Sequence, residues 1–325
     1  MSRPVCLVTG ATGAIGPGVV AAMAATHDVR TLSRRWPDPS LFQIAVTPFV
    51  GDVADAGVLR RAAEGVEVIL HLAALLHIVD PPVAMRSEYH RVNVGGTAAV
   101  LEAARAEGID RVVLMSTIAV YGDGGARRID EDAAPRPDTF YGQTKLAAER
   151  LALAAKRVDG APLATVLRSA AVYGPRVKGN YQRLVTALAR RRFVPIGRGE
   201  NLRTLVYEDD LAAAVALAAT HPAAGGRIFN VTDGAPHRLS EIIAAICAGL
   251  ERRPPRWHAP VTPVRVALKA ASIVNGRLPR MLDKYLEAVA VDGSRIQTEL
   301  GFQPAVDLLD GWRITIGTLR QEGRL

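Results

Sequence analysis

A phenol and an ammonium four residues apart are the side chains in this sequence best suited to chemistry. Tyr141 and Lys145 lie in the run Tyr-Gly-Gln-Thr-Lys, and this spacing places both on one face of a helix. A phenol near its ordinary pKa of about 10 is a poor base at neutral pH, but a neighbouring cation favours its ionised form. Only five of the 40 lysines and arginines are lysines, so Lys145 indicates a need for a compact ammonium rather than for charge alone. The pair predicts an acid/base site.

A glycine-rich segment near the amino terminus predicts a dinucleotide site. Gly10, Gly13 and Gly16 follow a short apolar run and precede an Ala-rich stretch that reads as a helix. Glycine permits a tight turn and close backbone approach to a pyrophosphate, and the helix amino terminus supplies N–H donors. The spacing Gly-x-x-Gly-x-x-Gly differs from the standard Gly-x-Gly-x-x-Gly, so its position between strand and helix carries the interpretation.

The end of the second strand bears on which dinucleotide is bound. The chain reads Leu32-Ser33-Arg34-Arg35 where NAD-selective loops commonly have a carboxylate for the ribose 2′-OH. Without that carboxylate a 2′-phosphate is not repelled, and Arg34 can form a bidentate pair with it. The pattern favours NADP and leaves NAD open; the alternative is a solvated arginine pair.

Taken together, these and further motifs resemble the extended short-chain dehydrogenase/reductase family, of the NAD-dependent epimerase/dehydratase type. The matching segments, in family order along most of the chain, are 9–16, 51–53, 71–74, 93–97, 116–117, 119–122, 141–145, 168, 172–175 and 203–212. The resemblance implies that Tyr141 is the acid/base acting on a substrate oxygen and that Lys145 holds the nicotinamide ribose. It also implies that Thr117 hydrogen-bonds the reacting oxygen; the alternative for Thr117 is a strand-end cap.

By the same resemblance, the dinucleotide is expected along the glycine loop and the strand ends that follow it. The implied contacts are Gly10, Thr12, Gly13, Ala14, Ile15, Gly16, Ser33, Arg34, Asp52, Val53, Leu72, Ala73, Ala74, Asn93, Tyr141 and Lys145. Asp52 belongs to the segment that lies at the adenine in the family. The alternative is that Asp52 is an ordinary carboxylate in a turn.

The substrate prediction depends on the carboxy-terminal half. Segment 177–180 and the run ending at Arg203 resemble nucleotide-sugar 4-epimerases and 4-ketoreductases, which implies substrate contacts from Asn180 and Arg203 besides Thr117. Ala171 departs from the Asn that many epimerases use for the diphosphate. Family 4,6-dehydratases have an Asp-Glu pair after the catalytic Thr, whereas this chain has Ile118-Ala119, so a dehydratase is disfavoured.

Two other functions stay open. A 3β-hydroxysteroid or dihydroflavonol type reductase would use the same three catalytic residues, with Arg203 in a surface or interdomain ion pair. A non-catalytic dinucleotide-sensing protein is disfavoured because Thr117, Tyr141 and Lys145 are all present.

The elements that must position these residues alternate between apolar strands and Ala-rich helices. Predicted strands cover 5–9, 29–32, 66–72, 112–115 and 163–167, and predicted helices cover 15–25, 98–106 and 143–156. The alternation predicts an α/β Rossmann-type fold with a doubly wound parallel sheet. We expect residues 1–174 to form the dinucleotide domain, and residues 175–325 to form mostly a smaller substrate-binding lobe with some segments returning to the core.

Composition narrows the function classes. The 325 residues are 49% hydrophobic and 22% charged, which is typical of a globular protein. The formal charge of +8 comes from arginines spread along the chain, and aromatic residues make up only 5%, so we expect no nucleic-acid partner. Cys6 and Cys247 cannot form a disulfide framework, and His71 and His77 lack a second ligand at metal spacing.

We therefore expect no metal, no membrane partner and a cytoplasmic location. The amino terminus runs directly into a strand pattern and lacks the apolar core of a signal peptide. The family resemblance implies a homodimer through the helices near 98–106 and 143–156.

Overall fold

Strands and helices are interleaved through the described chain. The computed structural model describes residues 3–76, 82–124, 127–177, 179–271 and 278–325; His77 and Lys178 lie outside them. The strands are β1 Val5–Thr9, β2 Asp28–Ser33, β3 Thr47–Val50, β4 Val68–His71, β5 Arg111–Thr117, β6 Arg128–Ile129, β7 Ala164–Ser169, β8 Ala171–Tyr173, β9 Leu202–Tyr207, β10 Ile228–Val231, β11 Pro236–Arg238 and β12 Ala290–Val291. The helices are α1 Gly16–Ala24, α2 Ala56–Ala63, α3 Arg86–Tyr89, α4 Gly96–Ala106, α5 Phe140–Ala154, α6 Asn180–Ala189, α7 Glu208–Thr220, α8 Leu239–Gly249, α9 Val261–Ala271, α10 Leu278–Leu286, α11 Ser294–Leu300 and α12 Leu308–Gln321.

Seven parallel strands form the central sheet, in the order β10-β7-β5-β4-β1-β2-β3. Its middle strands are buried on both faces, as the continuous apolar runs predict. The predicted Rossmann-type fold is confirmed. The predicted elements omit β3 and β10, which lie at the two edges of this sheet.

Helices cover both faces of the sheet. On one face α2 packs against α4 and α4 against α5; on the other, α1 packs against α7. Each layer buries its own apolar cluster against the strands. Since α7 and β10 both lie beyond residue 174, part of the carboxy-terminal half belongs to the central sheet and its covering layer. The domain boundary at 174 stays a prediction.

A second, smaller sheet supports the carboxy-terminal lobe. It has the order β11-β9-β8, with β9 antiparallel to β11 and parallel to β8. Helices α6, α8 and α12 pack against it around Trp312, which is 1% exposed. None of the helices in the described ranges has the length and apolar character needed to cross a membrane.

Strand register brings the predicted site residues to one edge. Thr9, at the end of β1, pairs with Leu32 in β2 and His71 in β4, and Thr117 in β5 pairs with Ser169 in β7. Ligands of doubly wound sheets bind at this carboxyl edge.

Candidate active site

The helix that carries Tyr141 and Lys145 is fixed at its first turn. Thr139 caps α5, its Oγ1 accepting from the Gly142 N–H at 3.1 Å. A Cβ on Gly142 would lie 2.7 Å from the carbonyl oxygen of Ala119, so only glycine allows the helix to approach the turn after β5 this closely. This contact brings Tyr141 to the turn that begins at Thr117.

Thr117 ends β5 with its hydroxyl turned back onto the chain. Its Oγ1 accepts from the Ala119 N–H at 3.2 Å, which caps the short helical turn 118–121. The hydroxyl can still donate its hydrogen to an oxygen in the cleft while accepting this bond. The cap and the predicted contact with a reacting oxygen are therefore compatible.

Burial governs the protonation of the acid/base pair. It raises the pKa of half-buried Tyr141, and the nearby Tyr89 raises it further. It lowers the pKa of Lys145 to about 8, while the Glu149 carboxylate opposes that shift. The sequence argument expected Lys145 to lower the Tyr141 pKa, but in the protein alone desolvation outweighs any such effect. Tyr141 is thus set as a neutral phenol that can donate its proton.

Asn93 connects the loop after β4 to α5, the helix that carries Tyr141 and Lys145. Its Nδ2 donates to Thr144 Oγ1 in α5 at 3.1 Å and to the Leu75 carbonyl at 3.2 Å, and its Oδ1 accepts from the Leu75 N–H at 2.8 Å. Asn93 is 1% exposed and lies in a π-helical stretch, His90–Gly95, which is a common device at functional sites. Its side chain thus positions the loop after β4 and α5 rather than pointing openly into the cleft.

Two glycines of the loop are required by close backbone approaches. Gly10 has φ +72°, and a Cβ there would lie 2.6 Å from the Ala73 nitrogen. A Cβ on Gly16 would lie 2.1 Å from the Ala11 carbonyl oxygen. Thr12 and Gly13 are exposed at the tip of the loop, and Ala14 and Ile15 are half-buried where it enters α1.

The amino terminus of α1 suits an anion. It has no side-chain cap and no acidic residue in its first turn, so its N–H groups and dipole are available to a pyrophosphate. Together with the loop geometry, these residues fit a dinucleotide.

His71 joins β1, β4 and α4 through a single tautomer. Thr97 Oγ1 donates to the Asn93 carbonyl at 2.7 Å, so it accepts from His71 Nε2 at 3.1 Å. The Nδ1 atom then accepts from Thr9 Oγ1 at 2.8 Å. Burial lowers the His71 pKa to about 3, so the ring is neutral and structural. Within the described part of the chain, no three His, Cys, Asp or Glu side chains converge as a metal site.

At the end of β2 the chain presents arginines without a carboxylate. Arg34 and Arg35 are exposed, whereas Ser33 is 6% exposed and its hydroxyl has no protein partner. The hydrogen bond from Arg91 lowers the pKa of the Asp52 carboxyl, and the charge of Arg34 adds to that lowering.

Asp52 is held by a residue that the sequence analysis did not select. Arg91 Nη2 donates to Asp52 Oδ2 at 2.9 Å, and the Ala54 N–H donates to Oδ1 at 2.8 Å. Val53 is 7% exposed and packs against Gly96. Arg91 and Asp52 are 39 residues apart in the sequence, so no local motif predicts their pairing.

Arg203 contacts the end of α10 within the carboxy-terminal half of the chain. Its Nη2 donates to the carbonyl oxygens of Lys284 at 2.5 Å and Tyr285 at 3.0 Å, and Nη1 lies 3.8 Å from Glu287. Its side chain is 18% exposed, so one part still reaches solvent. Its charge acts on Tyr181, although burial raises the pKa of Tyr181 to about 12.

Asn180 is the exposed first residue of α6, one position before Tyr181. It borders a cavity of about 50 Å³ that is also lined by Tyr173 and Trp312. Asn180 and Arg203 therefore both lie near Tyr181. Among the described residues, no hydrogen bond joins Asn180 directly to Arg203.

A buried ion pair lies one helical turn after Lys145. Glu149 and Arg168 are 1% and 2% exposed, with Arg168 Nη2 at 2.7 Å from Glu149 Oε2. Arg168 Nη1 also donates to Tyr121 Oη at 2.9 Å. Sequence reasoning noted Arg168 as a motif residue but missed Glu149, whose only signal was a charge at i+4 from Lys145 on the same helix face.

Comparisons with known proteins agree with this geometry. The family model described as the NAD dependent epimerase/dehydratase family matches residues 6–232. UDP-glucose 4-epimerase from Vibrio cholerae is 28% identical over 320 residues, covering 95% of this chain and 93% of that protein. dTDP-glucose 4,6-dehydratase from Streptomyces griseus is 33% identical over 271 residues, covering 82% and 75%. The solved structure of MoeE5 with UDP-glucose and NAD superposes with a TM-score of 0.79 and 30% identity, covering 98% of this chain and 99% of that one.

Proposed function

The chain belongs to the NAD-dependent epimerase/dehydratase family, and from this premise we propose that it interconverts a hydroxyl and a keto group at C4 of a nucleotide sugar, a UDP-hexose or UDP-N-acetylhexosamine. The observation that supports the proposal is the packing of Gly142 on Ala119, which brings the first turn of α5, where Tyr141 lies, against the turn that follows Thr117. A nicotinamide dinucleotide bound at this edge supplies or accepts the hydride.

Three side chains have distinct roles in the proposed reaction. Tyr141, kept neutral by burial, donates its proton to the keto oxygen as the alcohol forms and accepts it in reverse. Thr117 donates a hydrogen bond to the same oxygen and so orients the carbonyl. Lys145, nearly buried, binds ribose hydroxyls and offsets negative charge that develops on the Tyr141 oxygen.

The dinucleotide is proposed to be NADP, with NAD as the alternative. The absence of a carboxylate after β2 and the exposed Arg34 support NADP. MoeE5 was solved with NAD, which supports the alternative. Measuring kcat/KM with both cofactors decides between them: a clear NAD preference, or equal use, would overturn the role of Arg34.

Nucleotide-sugar binding is proposed near Tyr181 of α6, which lies close enough to Arg203 of β9 to feel its charge. The names of the Vibrio cholerae relative and of the MoeE5 complex support a UDP-sugar substrate. Asn180, at the amino terminus of α6, and the exposed part of Arg203 are the proposed diphosphate contacts. If UDP fails to bind at millimolar concentration, this proposal is refuted.

Elimination of water is not part of the proposal. Ile118 is 9% exposed and Ala119 carries only a methyl group, so neither can exchange protons with a substrate. The Streptomyces griseus relative is named a dehydratase, and the difference would lie at these two positions.

Reduction of a hydrophobic carbonyl compound is the second candidate. The engagement of Arg203 with the carbonyls of Lys284 and Tyr285 favours it, because an arginine already bonded to backbone carbonyls is less available to a diphosphate. Such an enzyme would reduce a steroid-like or flavonoid-like ketone and would not bind UDP.

An incubation that follows two signals tests the function directly. We expect the protein to convert a UDP-hexose or its 4-keto form, which is detected through C4 configuration and the absorbance of reduced nicotinamide. Inversion without net absorbance change identifies an epimerase, and stoichiometric oxidation of the reduced cofactor identifies a ketoreductase. Conversion of neither sugar form would refute the proposal.

The remaining proposals concern assembly and location. We propose a cytoplasmic homodimer joined through α4 and α5, with residues 1–174 binding the dinucleotide and most of 175–325 binding the substrate. Sedimentation velocity checks the dimer, and a monomer at all concentrations would exclude it.

A further inference from the structure

Two segments that are distant in sequence form one positively charged surface on the carboxy-terminal lobe. Between them, residues 190–198 and 251–259 contain seven arginines and one acidic residue, Glu251. We call this the arginine surface. Its arginines are Arg190, Arg191, Arg192, Arg198, Arg252, Arg253 and Arg256.

Backbone pairing holds the two segments together. Ile196 and Ala259 form a parallel bridge, with the Gly197 N–H donating to the Ala259 carbonyl and the Ala259 N–H to the Pro195 carbonyl. Arg252 Nη1 donates to the Leu188 carbonyl at 3.1 Å, which joins the segments at the other end. The surface is therefore a feature of the fold rather than of one charged run.

The charge of this surface is not neutralised by the protein. All its arginines are exposed, and among the described residues none of them has an ion-pair partner. Glu251 instead lies 3.7 Å from Arg320. Uncompensated arginines at this density attract a surface that carries many negative charges.

Exposed apolar side chains accompany the charge. Trp257 is 77% exposed and Val194 is 55% exposed. Ile196 and Ala259 form an isolated bridge, and Val194 and Trp257 each lie two residues before it in their own segments. An indole beside an aliphatic side chain suits the boundary between lipid headgroups and acyl chains.

We propose that the arginine surface docks the protein on a lipid bilayer with anionic headgroups. The arginines contact lipid phosphates, and Trp257 and Val194 enter the headgroup layer. A second copy of the chain is disfavoured as the occupant because two such surfaces repel each other. Nucleic acid is disfavoured because a single exposed aromatic gives little base stacking and Val194 would find no apolar partner.

This inference departs from the sequence expectation of no membrane partner. That expectation came from the lack of an apolar run long enough to span a membrane, whereas the arginine surface would bind a bilayer from outside. Peripheral docking needs no membrane-spanning helix, and it is independent of the proposed nucleotide-sugar chemistry.

Vesicle flotation with the full chain tests the proposal. We expect the protein to float with vesicles of phosphatidylcholine and phosphatidylglycerol, but not with phosphatidylcholine alone or at high salt. Arg192→Gln/Arg253→Gln/Arg256→Gln should weaken the partitioning by about 10- to 100-fold, and Trp257→Ala should weaken it by several-fold. The side chains of these arginines make no hydrogen bond in the described structure, so the variants should fold and bind dinucleotide like the wild type.

A matched charge control uses arginines of the opposite lobe. Arg60→Gln/Arg61→Gln/Arg105→Gln removes the same charge from exposed positions on α2 and α4 and should leave flotation unchanged. Three results would each overturn the proposal: no flotation of the wild type at low salt, an equal loss in the control variant, or binding to labelled duplex DNA without flotation.

Discussion

Lys145 and Arg168 are 3% and 2% exposed and lie beside the single carboxylate of Glu149, whereas the arginine surface presents seven cations to water. In the first region Arg168 pairs with Glu149, and burial lowers the pKa of Lys145. In the second, charge acts collectively and screening by salt limits it. The difference teaches that in an arginine-rich chain the role of a cation follows from its burial and partners. Residue type alone does not reveal it.

Replacing the phenol should have the largest effect on function. Tyr141→Phe removes the proposed proton donor, so we expect kcat to fall by about 10²- to 10⁴-fold. Dinucleotide affinity, measured by fluorescence titration, should change little. Tyr207→Phe, in the core of the lobe, is the matched control. Turnover that survives in Tyr141→Phe would mean that the site is misassigned.

Breaking the buried ion pair should have the next largest effect. Glu149→Gln leaves the Arg168 guanidinium buried without its carboxylate, so the free energy of unfolding should fall by about 3–5 kcal/mol. Urea denaturation measures the loss. Arg313→Gln breaks an exposed pair with Asp310, in which both side chains are 58% exposed, and should cost less than about 1 kcal/mol. Equal losses would remove the contrast between buried and exposed charge.

Lys145, which we propose takes part in catalysis, should lower the free energy of unfolding at neutral pH. Its pKa is lowered from 10.5 to about 8, so between these pH values the unfolded chain binds more protons than the folded protein. Wild-type stability should therefore rise as pH increases from about 8 to about 10.5. Lys145→Met should raise the free energy of unfolding at neutral pH by on the order of 1–3 kcal/mol, a gain that disappears above the window, while activity is lost.

Chemical denaturation across this pH range measures the effect of Lys145. The exposed Lys156→Met serves as the control and should follow the wild-type pH profile. A Lys145→Met protein less stable than the wild type at neutral pH would contradict the assignment of a buried ammonium whose pKa is lowered by desolvation.

The smallest expected effect comes from replacing one exposed arginine, Arg34. Arg34→Ala should raise KM for NADPH by about tenfold and leave KM for NADH unchanged, because only NADPH carries the 2′-phosphate. Arg35→Ala is the neighbouring control. Steady-state kinetics with both cofactors decides, and an equal rise for NADH would exclude the 2′-phosphate contact.

Local pattern predicted the parts of the site that short segments encode. The glycine loop lies within one turn, and Tyr141 and Lys145 lie within one helix. Their spacing in the sequence therefore determines how the residues of each are arranged in space. Strand β3 was missed because it has four residues and contains Pro48, which is tolerated at the sheet edge where β3 lies.

Contacts between distant segments could not be predicted in the same way. Arg91 reaches Asp52 across 39 residues, and the arginine surface joins segments about sixty residues apart. Periodicity does not encode such pairings, since they depend on how the helices pack. For the same reason Arg203 stood out in the sequence as a phosphate contact, and only the fold revealed its bonds to Lys284 and Tyr285.

Hydride transfer to sugar C4 is the most direct test of the proposed function. The purified protein would be stripped of any bound dinucleotide, loaded with reduced dinucleotide carrying deuterium at nicotinamide C4, and then given a UDP-4-keto sugar. Deuterium appearing at C4 of the sugar, and its absence with Tyr141→Phe, is the result predicted for an epimerase and a ketoreductase alike. A UDP-sugar that binds but gains no deuterium from the wild type would contradict the proposed reaction.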